Sequence, residues 1–293
     1  MVATAATLFA VNGPVSKVIL ATGLSSLRVS QVRVTGALVG LGLVLALTQP
    51  RRLRVRASEL PFLAFFGVCG VALVQWLYFV AIHRLEIGIA LLIQYLAPLL
   101  VALWARYVLG EPVRRRIWAA LALALAGLSL VVQLWKGGSL DGLGVAAALA
   151  AAVTFALYIL LAERALDHRD PVSLTCYGFL FAALFWGIVQ PWWSFPASLI
   201  DDEVALLGNL DGSHAPMWLL MAWMIVLGSI VPFACLVGAL RHVPATRVAM
   251  LAMLEPVVAT IVAYAWLGEA LGGIQIVGGA VVLAGILLAQ TAR

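Results

Sequence analysis

Glu255 lies at the middle of an apolar run, 245–267. A carboxylate in hydrocarbon must be paired, or it takes up a proton. The residue is therefore a candidate proton-coupling site, a protonated donor to freed backbone, or half of an ion pair. Gln75, Tyr78 and Ile82 recur at i, i+3 and i+7 on one apolar run, and Leu91, Gln94, Tyr95, Pro98 and Ala102 share a face on the next. Amides and phenols can bond the ammonium or carboxylate of a small zwitterion and flank an apolar side chain. They can equally bond neighbouring helices. Asn12, beside Gly13-Pro14 where the backbone is expected to break or bend, is a further cavity candidate. Tyr158 is another, with core packing an equal alternative. Pro98 and Pro256 each remove a backbone donor and free a carbonyl, at Gln94 and Ala252. They read as gating kinks, or as static kinks held by packing.

These residues sit on segments long enough to cross a bilayer, which takes about 20 apolar residues. Ten such segments are expected, at 3–22, 29–48, 60–82, 87–108, 115–134, 143–163, 171–192, 216–239, 245–267 and 271–290. The chain is 64% hydrophobic and 11% charged, where a soluble domain carries about 25% charged residues. Between the runs there is no room for a soluble domain. The longest connection, 194–215, holds Asp201, Asp202, Glu203 and Asp211 and no Lys or Arg. The first segment lacks a basic leader and is expected to be retained.

The chain also repeats itself. A constant offset of 158 aligns Leu96 with Leu254, Pro98 with Pro256, and Leu109-Gly110-Glu111 with Leu267-Gly268-Glu269. The same register aligns Gly70 with Gly228 and Ala81 with Ala239. Units 1–137 and 138–293 follow, each with five helices. An odd number inserts the second unit upside down, the inverted-topology arrangement of secondary transporters. With the N-terminus inside, 13 of the 18 Lys and Arg residues fall at cytoplasmic ends. The positive-inside rule then places both termini in the cytoplasm and the acidic connection outside.

The pattern resembles the EamA family of the drug/metabolite transporter superfamily. The resemblance rests on Asn12-Gly13 to Lys17, Arg33, Pro98 through Gly110-Glu111, Ala156-Leu157-Tyr158, and Leu254-Glu255-Pro256 through Gly268-Glu269. Gln94-Tyr95-Leu96-x-Pro98 is similar to the Asn-Tyr-Leu-x-Pro segment of the YddG-type aromatic amino acid exporters. The Trp usual near Asn12 is absent; the chain reads Phe9-Ala10-Val11. The resemblance implies an all-α polytopic protein of the bacterial inner membrane, with ten transmembrane helices as two inverted repeats around a central cavity. It implies export of amino acids or related metabolites from the cytoplasm. Without ATP motifs the driving force is expected to be a gradient, and the leading expectation is export of aromatic and other neutral amino acids. The alternatives are another metabolite or drug on the same fold, a channel, or a membrane enzyme.

The remaining features have modest readings. Lys17 and Arg33 could attract a substrate carboxylate, although for Arg33 snorkelling to the outer interface is the expectation. His83, Arg84 and Glu86 read as a solvated ionic cap. Gly36, Gly40, Gly278, Gly279 and Gly285 read as close helix packing. No cofactor, metal or nucleic acid is expected. The expected partners are lipid and a small-molecule substrate, and nothing calls for an oligomer, so a monomer is expected.

Overall fold

The computed structural model describes residues 2–108, 110, 115–132, 140–166, 169–232, 235 and 254–290. Helices dominate: α1 Val2–Ala21, α2 Ser26–Thr48, α3 Leu60–Phe65, α4 Leu73–Arg84, α5 Ile87–Gln94, α6 Ala97–Tyr107 and α7 Arg115–Val132. They continue with α8 Gly142–Leu166, α9 Pro171–Val189, α10 Met217–Ile225, α11 Leu254–Leu267 and α12 Gly273–Gln290. Five described helical stretches are long and apolar enough to cross a membrane, and five shorter apolar helices accompany them. Polar backbone is costly in lipid, and a helix satisfies its own.

Three local features depart from expectation. The run 60–82 is helical but interrupted. Phe66–Ala72 is a π-helical segment joining α3 to α4, and Val226–Ile230 is another following α10. The repeat offset lays the first on 224–230, so both units carry this irregularity around their aligned glycines, Gly70 and Gly228. The run 87–108 is broken rather than kinked. α5 ends at Gln94, Tyr95 and Leu96 form a turn, and α6 begins at Ala97 with Pro98 in its first turn, where a missing N–H costs least. α1, by contrast, runs unbroken through Pro14. The expected break at Asn12-Gly13-Pro14 is absent, because one lost bond to the carbonyl four residues back does not unwind a helix packed against α11, α10 and α4.

The acidic connection is not purely irregular. Glu203–Ala205 (β1) pairs antiparallel with His214–Pro216 (β2), a small departure from an all-α chain. This hairpin covers one end of the bundle. Asn209 Nδ2 donates to the Tyr264 and Ala265 carbonyls, and Trp266 Nε1 to the Leu206 carbonyl, tying it to the end of α11.

α7 packs along α12, α2 along α9, α1 along α11 and α4 along α8. Glycine permits the closest of these contacts. A Cβ on Gly278 would lie 2.7 Å from the Gly127 carbonyl oxygen, and one on Gly285 would lie 2.8 Å from that of Ala120. Gly36 and Gly40 receive Ile225 and Ile230 in the same way. Gly268, at φ +72°, directly follows α11, and Gly110, at φ +69°, lies beyond the end of α6; both take the left-handed conformation that glycine adopts without strain. The glycine of the Leu-Gly-Glu echo thus has the same backbone conformation in both copies. Glu111, Ala252 and Met253 lie outside the described residues.

Candidate functional site

Between α5 and α6 the chain makes a one-turn break that aims Tyr95 away from its own helix. Its hydroxyl donates to Glu255 Oε2 at 2.8 Å, in the first turn of α11. The two residues come from opposite repeats. Arg33 and Tyr78 lie within electrostatic reach of the same carboxylate. Pro256 is the third residue of the described α11.

Tyr158 belongs to an aromatic row behind this contact. It stacks on Phe66 at 5.3 Å and on Phe155 at 6.1 Å between ring centroids, and Phe155 stands edge-on to Tyr95 at 6.3 Å. Gly70 in the π-helical segment lies against Tyr158, where a Cβ would be 3.3 Å from its Cα.

Asn12 is buried on α1 and bonds Ser16 Oγ at 3.3 Å through its amide nitrogen. Its carbonyl oxygen, with Gln75 Oε1 and Gln94 Oε1, is buried and has no hydrogen-bond partner among the described residues. Buried polar atoms without partners are uncommon and call for an explanation. All three are acceptors, so a ligand carrying N–H or O–H donors would satisfy them.

Arg33 does not snorkel. It is 7% exposed, donates from Nε to Ser229 Oγ and from Nη2 to the Gly228 carbonyl, both at 2.9 Å, and lies over the Phe79 ring. The second π-helical segment supplies the acceptors that replace water, so the cation has no need to reach the interface. The repeat offset marks Gly228 by aligning it with Gly70, but nothing in the local pattern pairs it with Arg33 or identifies a π turn.

The expected solvated cap at 83–86 is also divided. Arg84 pairs with Asp141 at 3.1 Å. Glu86 instead turns inward, beside Lys17 and Glu269. Lys17 donates to the Leu85 carbonyl and to Glu269 Oε1, which brings together α1, the α4–α5 turn and the end of α11.

Among the described residues no group of His, Cys, Asp and Glu is arranged to hold a metal. The site offers a carboxylate, phenols, amides and a cation held by a serine hydroxyl and a backbone carbonyl. Groups of these types can hydrogen-bond a polar solute.

Similarity to known proteins agrees. The model of the EamA-like transporter family matches residues 1–133 and 142–291. The threonine/homoserine exporter RhtA of Salmonella typhimurium strain LT2 is 30% identical over 257 residues, covering 87% of this chain and 77% of that protein. RhtA of Escherichia coli K12 is 28% identical, covering 93% and 83%. An uncharacterized transporter of Archaeoglobus fulgidus is 30% identical over 217 residues, covering 72% and 70%. A crystal structure with 18% identity superposes with a TM-score of 0.60 over 97% of this chain and 96% of that one, a likeness of fold. With this family match over both halves, the chain belongs to the EamA-like transporter family and is a multi-pass membrane transporter of a small molecule.

Proposed function

We propose that this transporter exports neutral amino acids from the cytoplasm across the bacterial inner membrane. Ten spans form two inverted repeats, 1–137 and 138–293, with both termini cytoplasmic, and the protein works as a monomer by alternating access. The observation that carries this reading is the Tyr95–Glu255 contact between repeats, accompanied by amide oxygens at Asn12, Gln75 and Gln94 that have no partner among the described residues. An α-ammonium group is a triple donor suited to such acceptors. The names of the relatives point to the same class, threonine and homoserine, both neutral amino acids.

In this reading Asn12, Gln75, Tyr78, Gln94 and Tyr95 line the cavity, and the aromatic row through Tyr158 forms one wall. Glu255 is the coupling candidate. The α5–α6 break at Pro98, and Pro256 in α11, serve the motion between repeats. The test is uptake of labelled threonine, homoserine, methionine, phenylalanine and tryptophan into proteoliposomes, with and without an imposed pH gradient. Saturable uptake with counterflow exchange is expected. No transport above empty liposomes for any of them would overturn the substrate class, and a rate that never saturates would indicate a channel.

A further inference from the structure

Lys17 reaches from α1 across the hairpin-covered end of the bundle. Its ammonium donates to the Leu85 carbonyl at 3.0 Å and to Glu269 Oε1. Glu269 Oε2 accepts the backbone N–H of Ile87, the first residue of α5, at 2.8 Å. A carboxylate from the second repeat is thus held by a cation and a helix N-terminus from the first, both of which favour negative charge.

Glu86 stands beside this clasp. Its Oε2 is buried and has no hydrogen-bond partner among the described residues. Lys17 bonds Glu269 and not Glu86 among the described residues, yet Glu86 lies within electrostatic reach of both. Other charge nearby is engaged elsewhere or lies at the rim: Arg84 is bonded to Asp141 ahead of α8, and His83 is exposed on α4. The repeat offset replaces Lys17 with Thr175, Glu86 with Pro244 and Glu269 with Glu111. Thr175 gives its hydroxyl hydrogen to the Pro171 carbonyl. The lysine and the extra carboxylate thus belong to one end of the bundle only.

We propose that Lys17, Glu86 and Glu269 form a proton-regulated latch between the two repeats, shut when Glu86 is protonated and released when it ionises. The proposal rests on the transporter reading, in which this end opens and closes. A proton on Glu86 leaves one carboxylate per lysine and ends the repulsion between Glu86 and Glu269. Burial and the Glu269 charge push the Glu86 carboxyl up from its ordinary range, while Lys17 pulls it partly back. A carboxyl that holds its proton more tightly in the latched state than in an open, solvated one stabilises the latch at low pH. That stabilisation is lost as pH rises through the raised value.

The test is labelling of a single cysteine at Gln75→Cys, with Cys69, Cys176 and Cys235 changed to Ser, by a membrane-impermeant maleimide added outside cells. Rates are normalised to the same cysteine in a Lys17→Ala background, which removes the intrinsic pH dependence of the thiol. The normalised rate should rise severalfold from about pH 5 to about pH 8, and Glu86→Gln should keep it low and flat over that range. A flat profile in the parent protein, an unchanged rise in Glu86→Gln, or no faster labelling in Lys17→Ala would each overturn the latch. A Glu86-dependent profile seen only from the other membrane face supports the latch and reverses the orientation. The readout involves no substrate, so failed amino acid transport would leave it standing.

Discussion

Tyr95 donates its hydroxyl hydrogen to Glu255 across 2.8 Å, so the α5–α6 break of one repeat is tied to the first turn of α11 in the other. Any rearrangement that separates the repeats here must break this bond or carry both groups together. A buried acceptor that loses its donor is costly, about 1–3 kcal/mol. The contact therefore belongs both to the stability of this conformation and to the ease of leaving it.

Tyr95→Phe removes the donor and should lower thermal stability by about 1–3 kcal/mol. Glu255→Gln keeps an acceptor for Tyr95 and should cost less. When Tyr95→Phe is combined with Glu255→Ala, which removes the acceptor, the effects of the two changes should fall short of additive by about 1 kcal/mol, measured as a cycle of unfolding in detergent. Glu255→Gln should also flatten the pH dependence of transport. A lowered rate with an unchanged pH profile would restrict Glu255 to holding Tyr95.

Gly228 is fitted to Asn12. A Cβ there would lie 2.1 Å from Asn12 Oδ1 and 2.4 Å from Asn12 Cγ. Gly228→Ala should destabilise by about 1–3 kcal/mol, the usual cost of overpacking. Asn12→Ala removes the colliding atoms, so the double variant should recover most of that loss in a melting experiment. No recovery would show that the second π-helical segment itself, with its Gly228 carbonyl bonded to Arg33, is what rejects a side chain.

Much of this was legible in the chain. The apolar runs follow from hydrophobic length, and the left-handed Gly110 and Gly268 of the 158-residue echo from glycine's freedom at positive φ. The contact between Tyr95 and Glu255 was not, because two polar residues on different helices carry no sign of which partner each will choose. Arg33 was misread because a helix-by-helix view sees only an apolar surround and a route to the interface. Its acceptors arise from a π turn 195 residues away, and glycine and serine in an apolar run do not announce such a turn. Glu86 resembled a surface residue because the lysine it faces lies on another helix.

The α7–α12 seam separates two kinds of glycine. A Cβ on Gly278 would sit 2.7 Å from the Gly127 carbonyl oxygen and 2.9 Å from the Val131 nitrogen, backbone atoms that cannot turn aside. A Cβ on neighbouring Gly279 would meet only the end of Leu92, at 3.0 Å. Gly278→Ala should therefore cost about 1–3 kcal/mol and Gly279→Ala distinctly less, compared by thermal melting of the two purified variants. A Gly278→Ala loss as small as that of Gly279→Ala would mean that the α7–α12 seam gives way to a methyl group at little cost.

Asp170 does two jobs at the start of α9. Its carboxylate accepts the Val172 and Ser173 backbone N–H groups at 3.2 Å and also bonds Arg52 at 2.9 Å. The ion pair is about one-third exposed on both sides and should contribute little, about 0–1 kcal/mol, whereas loss of a helix cap costs about 1 kcal/mol. Asp170→Asn retains a capping oxygen and should melt close to the parent protein. Asp170→Ala should melt lower, by an amount insensitive to salt. If instead Asn and Ala are equally destabilising and high salt removes the difference from the parent, the pairing with Arg52 is the larger contribution.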